Sequence, residues 1–167
     1  MNTTLTARTT SPEATIALGR LLGQLLVGGD VVSLIGGLGA GKTTFVKGIV
    51  EALGGEGPVR SPTFAFVHHH RCRQPLDELL HVDLYRIDEP QEVDGLALDE
   101  LVDDATVLII EWMERAGGLL GEPSVTVDFT VQEEATRLIV LSMPAPRLAG
   151  LVDALHDGDR PASRGSR

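Results

Sequence analysis

The chain has 167 residues with 24 acidic against 14 basic side chains, a formal charge of -10 and a pI near 4.8. Nucleic acid is held by Lys and Arg that neutralise phosphates, so this balance argues against a free-standing nucleic-acid binder. The lone Cys72 excludes an intrachain disulfide and a cysteine-rich metal cluster.

No apolar run reaches the roughly 18 residues of a membrane span, and Met1 to Thr10 lacks the apolar region of a signal peptide, so a cytoplasmic location is expected. Those first ten residues are polar and threonine-rich and read as a flexible N-terminus. From Pro12 to Val27, Ala14, Ala17, Leu18, Leu21, Leu22 and Leu25 recur at helical spacing, with Thr10 and Glu13 as a capping box and Gly28-Gly29 as the stop. Val31 to Ile35 is short and β-branched, a buried strand. A glycine-rich turn follows, then a helix from Thr43 to Leu53. Thr63 to His69 and Leu79 to Tyr85 read as a hairpin, and Leu96 to Val102 as an acidic helix. Val107 to Ile110 is the most uniformly apolar run, as in a strand covered on both faces. Ser124 to Val131 and Arg137 to Ser142 alternate apolar and polar, which predicts a second hairpin at a sheet edge, and Leu148 to Leu155 reads as a last helix. Residues 157–167 offer little to bury and read as a disordered tail. One α/β domain is expected over residues 11–156, with a central mixed sheet flanked by helices and antiparallel hairpins at its edges.

The strongest chemical signal is Gly36-Gly37-Leu38-Gly39-Ala40-Gly41-Lys42-Thr43, which matches G-x-x-x-x-G-K-[ST] between a predicted strand and a predicted helix. Glycines let consecutive N–H groups turn inward toward phosphate oxygens, and the helix start adds its positive dipole end. Gly37, Leu38, Gly39, Ala40, Gly41, Lys42, Thr43 and Thr44 are therefore candidate nucleotide-binding residues, with Lys42 on the β- and γ-phosphates and Thr43 on Mg²⁺. Guanine selectivity usually needs an Asn-Lys-x-Asp loop. The only asparagine is Asn2 and the only lysines are Lys42 and Lys47, so ATP is the expected nucleotide.

Such a site needs carboxylates at neighbouring strand ends to hold the metal and orient water. Asp83 closes Leu79 to Val82 and Glu111 closes Val107 to Ile110. Both are candidate catalytic and metal residues beside Lys42 and Thr43. Spacing alone does not rank them, but Glu111 follows the better buried-strand pattern and is favoured for Mg²⁺. Trp112 is the only tryptophan and stands next to it, as a contact to nucleotide or partner or as a core or half-buried filler. In His68-His69-His70 only the outer two share a strand face and no third ligand is visible, so a polar edge is the better reading than a metal site.

Gly39 to Phe45, Ser61-Pro62-Thr63-Phe64, His81-Val82-Asp83-Leu84-Tyr85-Arg86 and Glu111-Trp112, in this order and spacing, resemble the TsaE (YjeE) family. The likeness runs from about Pro12 to Leu141. It implies a small P-loop ATPase needed for threonylcarbamoyladenosine modification of tRNA, which uses ATP to reset a complex of TsaB and TsaD. It implies further that TsaD carries the transfer chemistry; the acidic charge balance adds the expectation that tRNA is met only through these partners, with no DNA, and the absence of a long apolar run that no membrane is involved. By the same likeness Ser61, Pro62 and Thr63 form a segment that responds to the γ-phosphate, and the turn before Arg137, with the start of the first helix, borders the adenine. Gly37 stands where the family commonly has an acid, and Met113 where it commonly has Pro. Neither change removes a phosphate or metal ligand, but the first puts in doubt any role of that loop acid here.

Two other functions fit a P-loop: a small-molecule kinase and a nucleotide-gated binding protein without hydrolysis. A kinase usually needs an arginine-bearing lid. Between Asp77 and Glu114 there are 13 carboxylates and one arginine, Arg86, which suits an anionic acceptor poorly.

Overall fold

The computed structural model describes residues 2–158. Its seven-stranded sheet has the order β1-β7-β6-β2-β5-β4-β3. The strands are β1 (Asn2–Thr9), β2 (Val31–Ile35), β3 (Val67–Arg71), β4 (Glu78–Asp83), β5 (Thr106–Glu111), β6 (Val125–Val131) and β7 (Arg137–Pro144). The four middle strands, β6, β2, β5 and β4, run parallel, and antiparallel strands close both sides. This is the mixed sheet with antiparallel edges that the sequence predicts.

The helices are α1 (Pro12–Gly23), α2 (Lys42–Ala52), the single turn α3 (Leu98–Leu101) and α4 (Ala145–Gly158). Ser11, not Thr10, caps α1: its hydroxyl accepts from the Ala14 amide at 3.1 Å, with Pro12 in the first turn. The helix ends at Gly23, four residues short of the expected Val27, yet Leu26 still turns into the core.

Two apolar layers sandwich the sheet. Alternate residues of β5 serve both: Val107 and Ile109 face α1 and α2, while Leu108 and Ile110 face Val93, Leu98 and Ala116 on the other side. That other side is covered by the 3₁₀ turns Pro90–Leu96 and Met113–Ala116 together with α3, so the acidic helical stretch starts earlier and is more broken than its sequence suggests. On the first side α1 and α2 approach closely because Gly19 and Gly48 face the partner backbone. A Cβ on Gly48 would lie 2.0 Å from the Ile16 carbonyl oxygen, and one on Gly19 2.1 Å from that of Phe45. Phe45 then packs edge-on against Phe129, centroids 5.4 Å apart, and fixes α2 over the middle of the sheet.

Four expectations need correction. The N-terminal segment is a strand: β1 pairs with all of β7, from Asn2 opposite Pro144 to Thr9 opposite Arg137. The alternation of Leu5, Ala7 and Thr9 turns these side chains inward, and the Thr9 hydroxyl meets that of Thr15 on α1 at 2.9 Å. The β6–β7 hairpin is consequently inside the sheet, not at its edge. The first hairpin strand begins at Val67, because the Pro62 carbonyl oxygen accepts from the Ala65 and Phe66 amides and makes 62–66 a turn. The tail expected over 157–167 overlaps the end of α4, and 159–167 lie outside the described residues.

Candidate functional site

Parallel β2, β4 and β5 end side by side, and the chain leaves each at the same edge of the sheet. β2 runs into the loop 36–41, whose turns Gly36, Gly39 and Gly41 take at φ of 147°, 72° and 107°. Gly41 is the residue before α2, and its left-handed backbone aims the first turn of the helix back into the loop. A side chain on Gly36 would meet the Phe129 carbonyl oxygen at 2.9 Å.

Lys42 is 4% exposed. Its ammonium donates to the carbonyl oxygens of Gly36 at 2.6 Å and Gly37 at 3.0 Å, lies 3.7 Å from Glu111 Oε2, and sits 4.8 Å from the centre of the Trp112 ring. Glu111 Oε1 is 3.4 Å from the Thr43 hydroxyl and 2.9 Å from His81 Nε2. Asp83 and Glu111 are directly paired across β4 and β5, so both carboxylates stand at one level. Asp83 is nevertheless engaged elsewhere. Its Oδ2 accepts from Ser61 at 2.9 Å and Thr63 at 2.7 Å, and its Oδ1 from the Tyr85 amide at 2.9 Å. Trp112 has a left-handed backbone, φ 61°, and its ring lies tilted against Tyr85, centroids 5.2 Å apart, on the wall of the cleft.

These groups line a cleft of about 270 Å³ bounded by Leu38 to Thr44, Ser61, Thr63, Asp83, Glu111 and Trp112. Of the candidate residues, Gly37, Pro62 and Arg137 lie outside its lining. Gly37 supports the loop through its carbonyl, and Pro62 is buried under the turn. Arg137 braces the loop from behind, with Nε on the Ala40 carbonyl at 3.0 Å, and lines an adjoining hollow of about 150 Å³ with Ser11, Thr15 and Thr44. A larger hollow of about 490 Å³ lies at the opposite end of the sheet, among the last turns of α1 and α2 and the β3–β4 turn, far from these groups.

The donor set divides by chemistry. The lysine and the loop amides at the start of α2 suit phosphate oxygens. The Thr43 hydroxyl with the Glu111 carboxylate supplies hard oxygen ligands that suit Mg²⁺, while both oxygens of Asp83 are taken by Ser61, Thr63 and the Tyr85 amide. The histidine run does not join this set. His69 Nδ1 meets Glu78 at 2.8 Å on the edge strand, whereas His70 turns inward, where burial holds it below the usual imidazole range. His81 was missed as a site residue. Its signal in the sequence is an imidazole within the apolar run 79–82.

A parallel strand, a glycine loop and a helix carrying Lys and Thr at its start, with acids on the two next strands, define the P-loop NTPase class of domain. Within that class the profile of the family described as "Threonylcarbamoyl adenosine biosynthesis protein TsaE" matches residues 9–139, and the chain belongs to this family. The Mycobacterium tuberculosis protein named tRNA threonylcarbamoyladenosine biosynthesis protein TsaE is 47% identical over 109 residues, which are 61% of this chain and 64% of the relative. The chain thus spans a little under two thirds of the mycobacterial relatives' length. A protein of the same name from Treponema pallidum is 37% identical over 134 residues, 79% of this chain and 96% of that one. The crystal structure of Bacillus subtilis YdiB superposes with a TM-score of 0.72 at 30% identity, covering 96% of this chain and 99% of that one.

Proposed function

We propose that this chain binds ATP with Mg²⁺, hydrolyses it slowly, and serves threonylcarbamoyladenosine modification of tRNA by associating with a TsaB–TsaD complex in a nucleotide-dependent way. The observation that carries this reading is the convergence of Lys42, Thr43, Asp83 and Glu111 on one cleft in a chain of the TsaE family. Lys42 and the amides of residues 37–42 hold the phosphates, and Thr43 with Glu111 holds the cation. Mg²⁺ bound there would neutralise charge on the terminal phosphates during transfer to water. Asp83 keeps Ser61 and Thr63 at the mouth of the cleft. The same segment carries Phe64, 82% exposed, so a change in the cleft reaches a surface that a partner meets.

Calorimetric titration with ATP and Mg²⁺ tests binding. Lys42→Ala removes the charge-assisted contacts and should weaken affinity by about 100-fold or more; unchanged affinity overturns the nucleotide reading. The fluorescence of Trp112, the sole tryptophan, should change on binding because Lys42 lies over its ring. Size exclusion with TsaB and TsaD should give a joint peak that depends on nucleotide, and a peak indifferent to ATP would remove the proposed coupling.

A further inference from the structure

We infer that His81 is a positioning residue that fixes the Glu111 carboxylate for cation binding, an inference that rests on the ATP and Mg²⁺ reading. His81 sits in the middle of β4 and its side chain is fully buried. Across the parallel β4–β5 pair its register partner is Ile109, which makes Glu111 its diagonal neighbour on the same face. Its Nε2 lies 2.9 Å from Glu111 Oε1. A carboxylate only accepts, so Nε2 carries the hydrogen of this contact. The other ring nitrogen, Nδ1, is buried without a partner.

The cost of this arrangement points to its use. Buried polar atoms are almost always satisfied, so an imidazole with one ring nitrogen unpaired is costly unless the other has a use. Lys42, 3.7 Å from Oε2, and the long contact from the Thr43 hydroxyl to Oε1 at 3.4 Å hold the carboxylate loosely. The His81 N–H on Oε1 adds its shortest contact, 2.9 Å, and fixes the carboxylate plane. Partners behind a ligand of this kind typically change metal affinity by 10- to 100-fold.

Mn²⁺ serves as the probe, its binding in the presence of ADP read by electron paramagnetic resonance on the full chain. His81→Leu should weaken Mn²⁺ by roughly 10- to 100-fold and leave ADP affinity without metal unchanged. His81→Gln, whose amide reaches as far as Nε2, should recover most of the loss. Wild-type Mn²⁺ affinity in His81→Leu overturns the inference, and so does a His81→Gln variant that is folded but no better than His81→Leu. If His81→Leu does not fold, His81→Asn, whose amide stops short of Glu111, takes its place with the same expectation. Wild-type protein that binds ADP but no Mn²⁺ would instead overturn the Mg²⁺ reading itself.

Discussion

Asp30 precedes β2, and its carboxylate accepts from the Val27 amide, the Ser124 hydroxyl and both terminal nitrogens of Arg147 on α4. Burial alone would raise its pKa, but the hydrogen bonds from Arg147, Val27 and Ser124 outweigh it and hold the group below its ordinary value of 3.8. A depressed folded pKa contributes stability that is complete above the unfolded pKa and is lost as pH falls through the folded one. Asp30→Asn should therefore cost about 2 kcal/mol at neutral pH, discounted from a fully buried pair because Arg147 is partly exposed. In denaturant titrations its difference from wild type should stay level from about pH 7 to 5 and shrink below about pH 4. A gap that widens on acidification would contradict this assignment. Asp30 and Arg147 are far apart in sequence, and nothing in their local pattern pairs them. Lys42 and Thr43 were legible because phosphate-loop chemistry is contiguous in the chain, and Asp83 and Glu111 because strand ends are. That Asp83 binds Ser61 and Thr63, and that His81 backs Glu111, depends on strand register, which single-chain periodicity does not contain.

At the scale of elements, the glycines of α1 and α2 weigh more than their helix propensity. Alanine in a helix interior is favoured over glycine by about 1 kcal/mol. At Gly48 the new methyl would lie 2.0 Å from the Ile16 oxygen and 2.7 Å from the Arg20 amide, both backbone atoms that cannot rotate away. Overpacking costs typically 1–3 kcal/mol and more where backbone must move, so the clash wins. Gly48→Ala should lower unfolding free energy by about 2 kcal/mol, checked by the urea midpoint at unchanged slope; a stabilised variant would mean that α1 does not pack at this distance. Because α2 begins at Lys42, separating the helices should also weaken nucleotide binding. The helical faces of α1 and α2 were readable from spacing, since burial on one stripe imposes that period. β1 was not, because its inward side chains are Leu5, Ala7 and Thr9, a weak alternation in a polar segment. It is ordered by β7, through a ladder that ends with Thr9 opposite Arg137, the residue that braces the phosphate loop.

For the whole molecule, the excess of 24 acids over 14 bases is laid out unevenly. Asp88, Glu89, Glu92, Asp94, Glu100, Asp103 and Asp104 are exposed on the connection between β4 and β5, over or beside the layer opposite α1 and α2. Several cations are already engaged. Lys42 is buried, Arg20 pairs with Glu51, Arg147 with Asp30, and Arg137 with backbone carbonyls. No helix of the described residues is long and apolar enough to cross a membrane. The polyanion in the proposed pathway is tRNA, whose attraction for proteins grows as salt falls because binding releases counterions. A surface with this field should do the opposite: lowering salt lengthens the reach of the repulsion, from about 10 Å at 0.1 M to about 30 Å at 0.01 M. Filter binding with labelled tRNA should therefore show no retention by this chain alone at roughly 10 μM, even near 50 mM salt, where ordinary non-specific binders are already saturating. Retention should appear only when TsaB and TsaD are added. Direct binding that strengthens as salt is removed would show that a basic surface engages RNA, and would place the chain in contact with the substrate instead of behind its partners.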